Sequence, residues 1–275
     1  MPLKALVTVL VVLFVLAALP ALAQQPSGSL APLPTATQAP RQHSTMRFHN
    51  RRDDGTVESE NWSGYAVTGS GFTSAHGSWT VPAVNCSQTP NTYSSFWVGL
   101  DGYSSSTVEQ TGTDSDCDGR TASYYAWYEF YPSGSVLISN VEVSPGNQMS
   151  ATVTYSGSEF TITITNETTG QSYSHSSRVR GAARTSAEWI AEAPCCTRRG
   201  GILPLADFSS VSFGSDYTGI SGTNDASSSS VSGQISDFGS SVQEITMVSS
   251  RGADEAVPSS LTADGSSFTV KWDSE

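Results

Sequence analysis

Thr185-Ser-Ala-Glu-Trp-Ile-Ala-Glu-Ala-Pro194 is a run in which two carboxylates, Glu188 and Glu192, stand four residues apart among uncharged neighbours. In a β-strand successive side chains alternate between faces, so both glutamates share one face with Ile190, and Trp189 lies on the other. A carboxylate beside apolar groups is a candidate for general acid/base chemistry, because desolvation raises its pKa toward a working value. The alternative interpretation is an edge strand with a solvated acidic face.

The rest of the chain has the same short alternations of apolar and polar residues, separated by Gly- and Ser-rich breaks. The clearest hairpin signal is Thr161–Asn166, a Glu-Thr-Thr-Gly break and Gln171–His175. The stretch 219–233 is predicted to be a surface loop. Many short strands without intervening helices predict an all-β protein, an antiparallel sandwich or barrel. The predicted strands are Gly64–Thr68, Gly77–Val81, Ser95–Leu100, Thr107–Gly112, Ala122–Tyr131, Ser135–Val143, Gln148–Tyr155, Phe160–Asn166, Gln171–Ser176, Ser186–Ala193, Asp207–Phe213, Gln243–Val248 and Phe268–Trp272.

The predicted strand Ala122–Tyr131 is the richest in aromatic residues. Alternation places Tyr125, Trp127, Glu129 and Tyr131 on one face, and the intervening residues on a face that is typical of a core. A carboxylate among aromatic rings suits a groove for an extended ligand, since the rings supply contact area and the carboxylate supplies a specific polar contact. The alternative is an aromatic but inert sheet face.

The N-terminal part of the chain differs from the rest. Residues 1–23 have an apolar run and a small-x-small ending, Ala21-Leu-Ala23, which is typical of a secretory signal peptide. Residues 24–58 are rich in Pro, Ser, Thr and Gln and are predicted to be a linker or pro-segment. Residues 59–275 remain, enough for one sizeable β-sandwich domain. The protein is therefore expected to be secreted.

Charge limits the partners of this domain. From residue 59 onward there are eight Lys and Arg residues and 22 Asp and Glu residues, a net charge of −14. An acidic surface repels nucleic acids and anionic membranes, so neither is an expected partner. No later stretch is long and apolar enough to cross a bilayer. The expected form is a monomer.

The four cysteines, Cys86, Cys117, Cys195 and Cys196, are an even number in a chain that is expected to be exported. Disulfides are therefore expected, but three pairings are possible and the sequence does not choose among them.

Several catalytic templates are absent. The chain has no Gly-x-Ser-x-Gly, His-Glu-x-x-His, Asp-Thr-Gly or Asp-Ser-Gly motif, and no phosphate-cradling Gly loop. Only His76 and His175 follow residue 58, so a serine or cysteine triad has little support. The cysteines have no partner histidines at zinc-ligand spacing. What remains is carboxylate chemistry without a metal or another cofactor.

Six segments together resemble one family in their order and spacing: Asn61-Trp62, Thr80-Val-Pro-Ala83, Trp97-Val-Gly-Leu-Asp-Gly102, Gln110-Thr-Gly-Thr-Asp114, Tyr125-Ala-Trp-Tyr-Glu-Phe-Tyr-Pro132 and Ala187-Glu-Trp-Ile-Ala-Glu192. The family is that of the glutamic peptidases, or eqolisins. The resemblance covers about residues 59–248 and the final strand. It implies a β-sandwich of two large antiparallel sheets, with a catalytic Gln/Glu pair on the concave face.

The resemblance also implies roles for individual residues. Gln110 matches the catalytic glutamine and Glu192 the catalytic glutamate. Tyr125 stands where the family usually carries an aspartate. The candidate substrate-binding and supporting residues are Trp62, Trp97, Asp101, Asp114, Tyr125, Trp127, Glu129 and Glu188, the last as a supporting or surface carboxylate.

The implied activity is a secreted, acid-acting endopeptidase that cleaves polypeptides by water attack and is insensitive to pepstatin. In this role Glu192 moves the proton, and Gln110 stabilises the oxyanion without changing its charge in acid. Two alternatives use the same sandwich: a carbohydrate-binding module or adhesin with an aromatic platform at Trp127, Tyr125 and Tyr131, and a glycosidase that pairs Glu129 with Glu192.

The predicted pro-segment has a cluster of basic residues between Arg41 and Arg52. Such a segment can lie across an anionic cleft at neutral pH and dissociate when carboxylates are protonated. The hypothesis is therefore a zymogen that matures faster in acid.

Overall fold

The structure is a computed structural model that describes residues 37–195 and 201–274. The described residues form short strands, one α-helix, Ser215–Thr218 (α1), and a 3₁₀ helix over Ile235–Ser241. No helix among them is long and apolar enough to cross a membrane. The strands are β1 Phe48–Arg51, β2 Val57–Ser59, β3 Trp62–Thr68, β4 Ser74–Thr80, β5 Tyr93–Leu100, β6 Val108–Asp118, β7 Thr121–Tyr131, β8 Val136–Ile138, β9 Gln148–Ser156, β10 Glu159–Asn166, β11 Gln171–Ser177, β12 Ser186–Glu192, β13 Ser210–Phe213, β14 Asp225–Ser227, β15 Ser232–Gln234, β16 Val242–Val248, β17 Asp254–Pro258 and β18 Phe268–Trp272.

The strands are arranged in two large layers. The first has the order β8-β7-β6-β5-β12-β3-β16, and the second has the order β11-β10-β9-β4, with β13 and β14 also paired to β4. Strands β17 and β18 connect β16 to β13 and so join the layers. Strand β2 pairs with β16 in parallel, and the other strand pairs within the described residues are antiparallel. The predicted all-β antiparallel sandwich is confirmed.

Strand β12 lies inside the first layer, between β3 and β5, and all seven of its residues are buried. The edge-strand interpretation of this stretch is wrong, because both of its edges are paired. Glu188 is fully buried, so the surface interpretation of that carboxylate is wrong as well.

Alternation along the strands divides the apolar residues into two cores. Trp189 of β12 and Phe96 of β5 belong to the main core. On the opposite face of the same sheet, Ile190, Trp97 and Trp127 belong to a second, smaller core. The predicted two-faced pattern of β7 is also present, since Tyr128 and Phe130 belong to the main core. The second core forms the floor of the site described below.

Several strand boundaries differ from the predicted ones. Strand β6 continues to Asp118, well beyond Gly112, because β7 pairs with it along its whole length and β5 pairs with it from Glu109 to Asp116. The predicted strand Ser135–Val143 shortens to β8, and the predicted loop 219–233 contains β14, which pairs with β4. Of these differences, only the β14–β4 pairing depends on a partner that is distant in sequence.

One disulfide joins Cys86 to Cys117, at the end of β6. Cys195 is also disulfide-bonded. Cys196 and the predicted signal peptide, residues 1–23, lie outside the described residues.

Candidate active site

The candidate residues lie on one face of the first layer, in rows fixed by strand register. In one row, Glu192 of β12 is opposite Ser95 of β5, which is opposite Asp114 of β6. Four residues along each strand, on the same face of the sheet, Gly99 of β5 is opposite Gln110 of β6. The rows continue to Tyr125 and Glu129 of β7, respectively. Three consecutive strands and β12, which is distant in sequence, therefore bring these polar side chains to one area.

One further row of residues separates the Glu192 row from the Gln110 row. The intermediate row contains Trp97, Gly112 and Trp127. A Cβ atom added at Gly112 would meet the carbonyl oxygen of Phe96 and lie 2.5 Å from the Cβ of Trp97. Only glycine fits here, because the backbone of β5 approaches β6 too closely at this position for any side chain.

Glu192 is fully buried, and both of its carboxyl oxygens accept hydrogen bonds. The Nε1–H of Trp97 donates to Oε2 at 2.8 Å, and the backbone N–H of Ser44 donates to Oε1 at 3.2 Å. Burial raises the pKa of Glu192 to about 8, although the charge of His43 acts in the opposite direction. The carboxyl group is therefore a stronger base than one in water.

Gln110 is also fully buried. Its Nε2 donates to Oε2 of Glu129 at 3.1 Å, while its Oε1 has no hydrogen-bond partner in the described part of the chain. Burial raises the pKa of Glu129, against hydrogen bonds from His43 and Gln110. An unpartnered buried amide oxygen has an unmet preference for a donor such as water.

The segment 37–47, which we call the strap, covers this area. Its His43 is fully buried and stacks on the ring of Trp127, with centroids 3.5 Å apart and planes 9° apart. His43 Nε2 lies 3.2 Å from Oδ1 of Asp114, and Nδ1 lies 3.4 Å from Oε2 of Glu129. Burial lowers the pKa of His43, but the charge and hydrogen bond of Asp114, with that of Glu129, outweigh it and raise the pKa to about 10.

Tyr125 contacts two aspartates at one side of the site. Its hydroxyl donates to Oδ2 of Asp114 at 2.7 Å and is 2.9 Å from Oδ2 of Asp116. Arg41 of the strap pairs with Asp116 at 3.1 Å and with Asp118 at 2.7 Å. The predicted basic segment thus contacts cleft acids through Arg41, whereas Arg52 pairs with Glu58 and Asp254 outside the cleft.

Three predicted site residues lie beside the Glu192–Gln110 area. They are Asp101, Trp62 and Glu188, and Glu188 lies in the Gln110 row, opposite Gly99. Asp101 accepts hydrogen bonds from the backbone N–H groups of Arg184 and Thr185, at 2.7 and 2.9 Å, and so anchors the chain just before β12. Trp62 packs edge-to-face on Trp97, with centroids 4.9 Å apart.

Glu188 is the third of these residues, and the negative charges of Asp101 and Glu109 act on its carboxyl group. Burial raises its pKa well above the ordinary value, and neither of its carboxyl oxygens has a described hydrogen-bond partner. No group of three or more metal-ligating side chains in the described ranges is placed to hold a metal ion.

The sequence reasoning missed the two strap residues that contact the site most closely, His43 and Ser44. Their neighbourhood has no strand period, and only the basic composition of the segment indicated a contact with the acidic domain. Glu109 was also missed. It is a buried acid that alternation alone places on the core face of β6.

The profile of the peptidase A4 family matches residues 60–271, which contain the four strands of the site. The chain belongs to the peptidase A4 family. This agrees with the six segments that resemble the glutamic peptidases, and it assigns the sandwich and its buried carboxylates to a family of peptide hydrolases.

This A4 family member is similar in sequence to aspergillopepsin-2 and to scytalidopepsin B. Aspergillopepsin-2 of Aspergillus niger is 35% identical over 178 residues, which cover 56% of this chain and 62% of the relative, so the match spans less than two thirds of that protein. Scytalidopepsin B of Scytalidium lignicola is 37% identical over 185 residues, which cover 65% of this chain and 68% of the relative.

Solved A4-type structures share the fold. A scytalido-glutamic peptidase with a transition state analog inhibitor has a TM-score of 0.64 and 28% identity, over 78% of this chain and 98% of that one. The aspergilloglutamic peptidase of Aspergillus niger has a TM-score of 0.55 and 31% identity, over 66% of this chain and 99% of that one.

Proposed function

We propose that this chain is a secreted endopeptidase that hydrolyses peptide bonds in acid, with Glu192 and Gln110 as its catalytic pair. The observation that carries the proposal is the hydrogen bond from the backbone N–H of Ser44 to Glu192. A peptide group already lies against the proposed catalytic carboxyl group, in a cleft walled by Trp97 and Trp127. The inhibitor-bound scytalido-glutamic peptidase, which shares the fold, supports polypeptides as the substrate class.

The chemistry follows from the two side chains. Ionised Glu192 accepts a proton from a water molecule as the water oxygen attacks the scissile carbonyl carbon. Gln110 Nε2 donates to the oxyanion that forms, and Gln110 Oε1 orients the water. Glu192 then returns the proton to the amine nitrogen, the C–N bond breaks, and a carboxylic acid and an amine leave. No covalent enzyme intermediate is needed.

The pKa of about 8 for Glu192 belongs to the strap-bound protein, whereas the proposed activity in acid belongs to the protein after the strap has left. Burial is the main cause of that raised pKa, and the strap contributes to the burial by placing His43 and Ser44 over the cleft. Departure of the strap admits water and also removes the His43 charge and the Ser44 N–H, which both lower the pKa. Because burial is the largest cause of the shift, we expect rehydration to dominate and the pKa to fall. The carboxylate form then becomes available at a lower pH.

The same contacts support a zymogen. The strap supplies the Ser44 donor to Glu192, and its His43 N–H donates to Oε2 of Glu129 at 3.1 Å, next to Gln110. A substrate cannot reach the pair while the strap remains. The inhibitory role rests on residues 37–47. Farther along, Val57–Ser59 are built into the sheet as β2, so the boundary at residue 58 stays a prediction.

A sugar-binding role has less support in this fold. Trp127 is covered by His43, and the Tyr125 hydroxyl is bonded to two aspartates. These rings therefore do not form an open stacking platform in the strap-bound state.

The test is a protein-digestion assay of the full chain from acidic to neutral pH, with pepstatin present. Glu192→Gln and Gln110→Ala are each expected to lower kcat/KM by about a thousandfold or more, as removal of oxyanion or proton-transfer groups does. Glu159→Gln, an exposed carboxylate on β10, is the control and should match wild type. Full activity in either catalytic variant, or inhibition by pepstatin, would refute the proposal.

A further inference from the structure

The strap crosses the cleft in one direction and one register. Before the site, Gln42 exchanges two backbone hydrogen bonds with Cys195, each 2.9 Å long. At the site, the Ser44 N–H reaches Glu192. After it, the Met46 N–H donates to the Gly102 carbonyl oxygen at 3.0 Å. Backbone contacts on both sides hold the strap as they would hold a bound peptide.

This register identifies one peptide bond. If Glu192 returns a proton to the leaving amine, the nitrogen closest to it belongs to the residue after the scissile bond. In the strap that nitrogen is Ser44 N, 3.2 Å from Glu192 Oε1. His43 is then the residue directly before the bond, and its surroundings show what that position accepts.

His43 occupies an enclosed site lined by one aromatic ring and two carboxyl groups. Its base is the Trp127 ring, which the imidazole covers almost in parallel. Its two ends are carboxylates, Asp114 at Nε2 and Glu129 at Nδ1. These three lining side chains are at most 1% exposed, so little water competes for them.

We propose that Trp127, Asp114 and Glu129 form a subsite for a flat cationic side chain, histidine above all, directly before the scissile bond, and that His43 fills this subsite in cis. The inference rests on the proposed peptidase function and adds the substrate class. Asp114 and Glu129 determine specificity, and Tyr125 is a positioning residue, since its hydroxyl bonds Asp114 Oδ2 and leaves Oδ1 to face the ligand.

The chemistry of the lining explains the selectivity. An apolar side chain in this seat would leave the buried carboxyl groups of Asp114 and Glu129 without a polar partner, which is costly in a site that excludes water. A protonated imidazole places Nε2 at 3.2 Å from Asp114 and Nδ1 at 3.4 Å from Glu129, and it stacks on the indole as a cation. Phenylalanine keeps the stacking and loses both ion pairs, so it separates the two contributions.

The experiment uses acid-treated full chain and a synthetic peptide of residues 38–47, with its His43→Phe and His43→Ala forms. We expect cleavage between positions 43 and 44, and a kcat/KM for the His peptide about tenfold or more above that for either variant peptide. In Asp114→Asn protein the ratio of His to Ala peptide should fall about tenfold. Tyr125→Phe should lower the same ratio by a smaller factor.

The outcomes separate the two proposals. Equal kcat/KM for the three peptides, cleavage at another bond, or inhibition without cleavage at this bond would overturn the subsite while digestion of protein substrates persists. Failure to cleave any peptide and any protein substrate would overturn the peptidase function itself. Unchanged ratios in Asp114→Asn would also overturn the subsite, because the ratio does not depend on how much active protein is present.

Discussion

The indole Nε1–H of Trp97 donates a 2.8 Å hydrogen bond to Oε2 of Glu192, and both side chains are fully buried. This bond fixes one oxygen of the carboxyl group and favours its ionised form. The other oxygen remains for the Ser44 N–H in the strap-bound protein, or for water and the leaving amine in the proposed reaction.

Trp97→Phe removes this donor and keeps an aromatic ring. We expect kcat/KM to fall by about tenfold or more, and the pKa that governs the acidic limb of the pH–rate profile to rise. The control is Trp79→Phe, which removes a similar buried bond, 2.9 Å long, to Thr113 in the main core. Both variants should lose about 1–3 kcal/mol of stability. Only Trp97→Phe should shift the profile, and an equal shift in both would refute the positioning role.

The second prediction concerns the release of the strap. Asp114 and Glu129 face His43 directly, and the Glu192 charge also acts on it. At neutral pH the protonated imidazole attracts these carboxylates. Acid protonates Glu129, whose pKa is raised, and so weakens the attraction as the pH falls. The protection factors of residues 37–47, which correct hydrogen exchange for the intrinsic rate at each pH, should therefore be high at neutral pH and lower in acid.

His43→Ala should speed exchange of the strap at neutral pH and move the onset of activity to higher pH. His49→Ala is the matched control, because His49 is in the same part of the chain and its nearest acid is Glu60, at 3.6 Å. Equal protection in the His43 variant and in wild type would show that the imidazole does not hold the strap.

The third prediction concerns stability against pH. Burial and then the Asp101 charge raise the pKa of Glu109 from 4.5 to about 9. Neither of its carboxyl oxygens has a hydrogen-bond partner in the described ranges. The folded protein keeps Glu109 neutral, whereas the unfolded chain ionises it above about pH 4.5. Its contribution is therefore intact below that pH and is lost as the pH rises toward 9.

Glu109→Gln removes this ionisation. At neutral pH the variant should be more stable than wild type by about 2–3 kcal/mol, and in acid the difference should be small. Urea unfolding at several pH values measures it, with the exposed Glu159→Gln as the control. A constant difference at all pH values would contradict the prediction.

The fourth prediction separates anchoring from catalysis at Asp101. This residue has φ 69°, a conformation that Asp and Asn tolerate, and it accepts two backbone hydrogen bonds before β12. Asp101→Ala should cost about 2–4 kcal/mol, because it strains the turn and leaves buried N–H groups unpaired. Asp101→Asn should cost less. If the Asn variant is stable and inactive, Asp101 acts in catalysis and the anchoring role is wrong.

The sequence predicted most of the layer that carries the site. The alternation in β7 and β12 identified which side chains share a face, and the matched segments singled out Gln110 and Glu192. It did not predict that β12 is a central strand, because this depends on pairing with β3 and β5, far along the chain. It also did not predict that β6 extends to Asp118, where β6 pairs with the start of β7 in a tight hairpin. The alternation of residues could not distinguish Glu188 from Glu192, since both are buried on the same face of β12. They differ in their hydrogen-bond partners: Trp97 donates to Glu192, and no partner is described for Glu188.

The amino-acid sequence by itself determined the face of each strand, because that depends on local backbone geometry with a period of two. Only the tertiary structure decided which groups meet across the cleft. Ser44 and Glu192 are 148 residues apart, and Trp97 and Glu192 are 95 apart. Their contacts depend on sheet register and on the path of the strap, which are set by the whole fold rather than by neighbouring residues. The closed cleft over Glu192 is therefore a property of the folded chain.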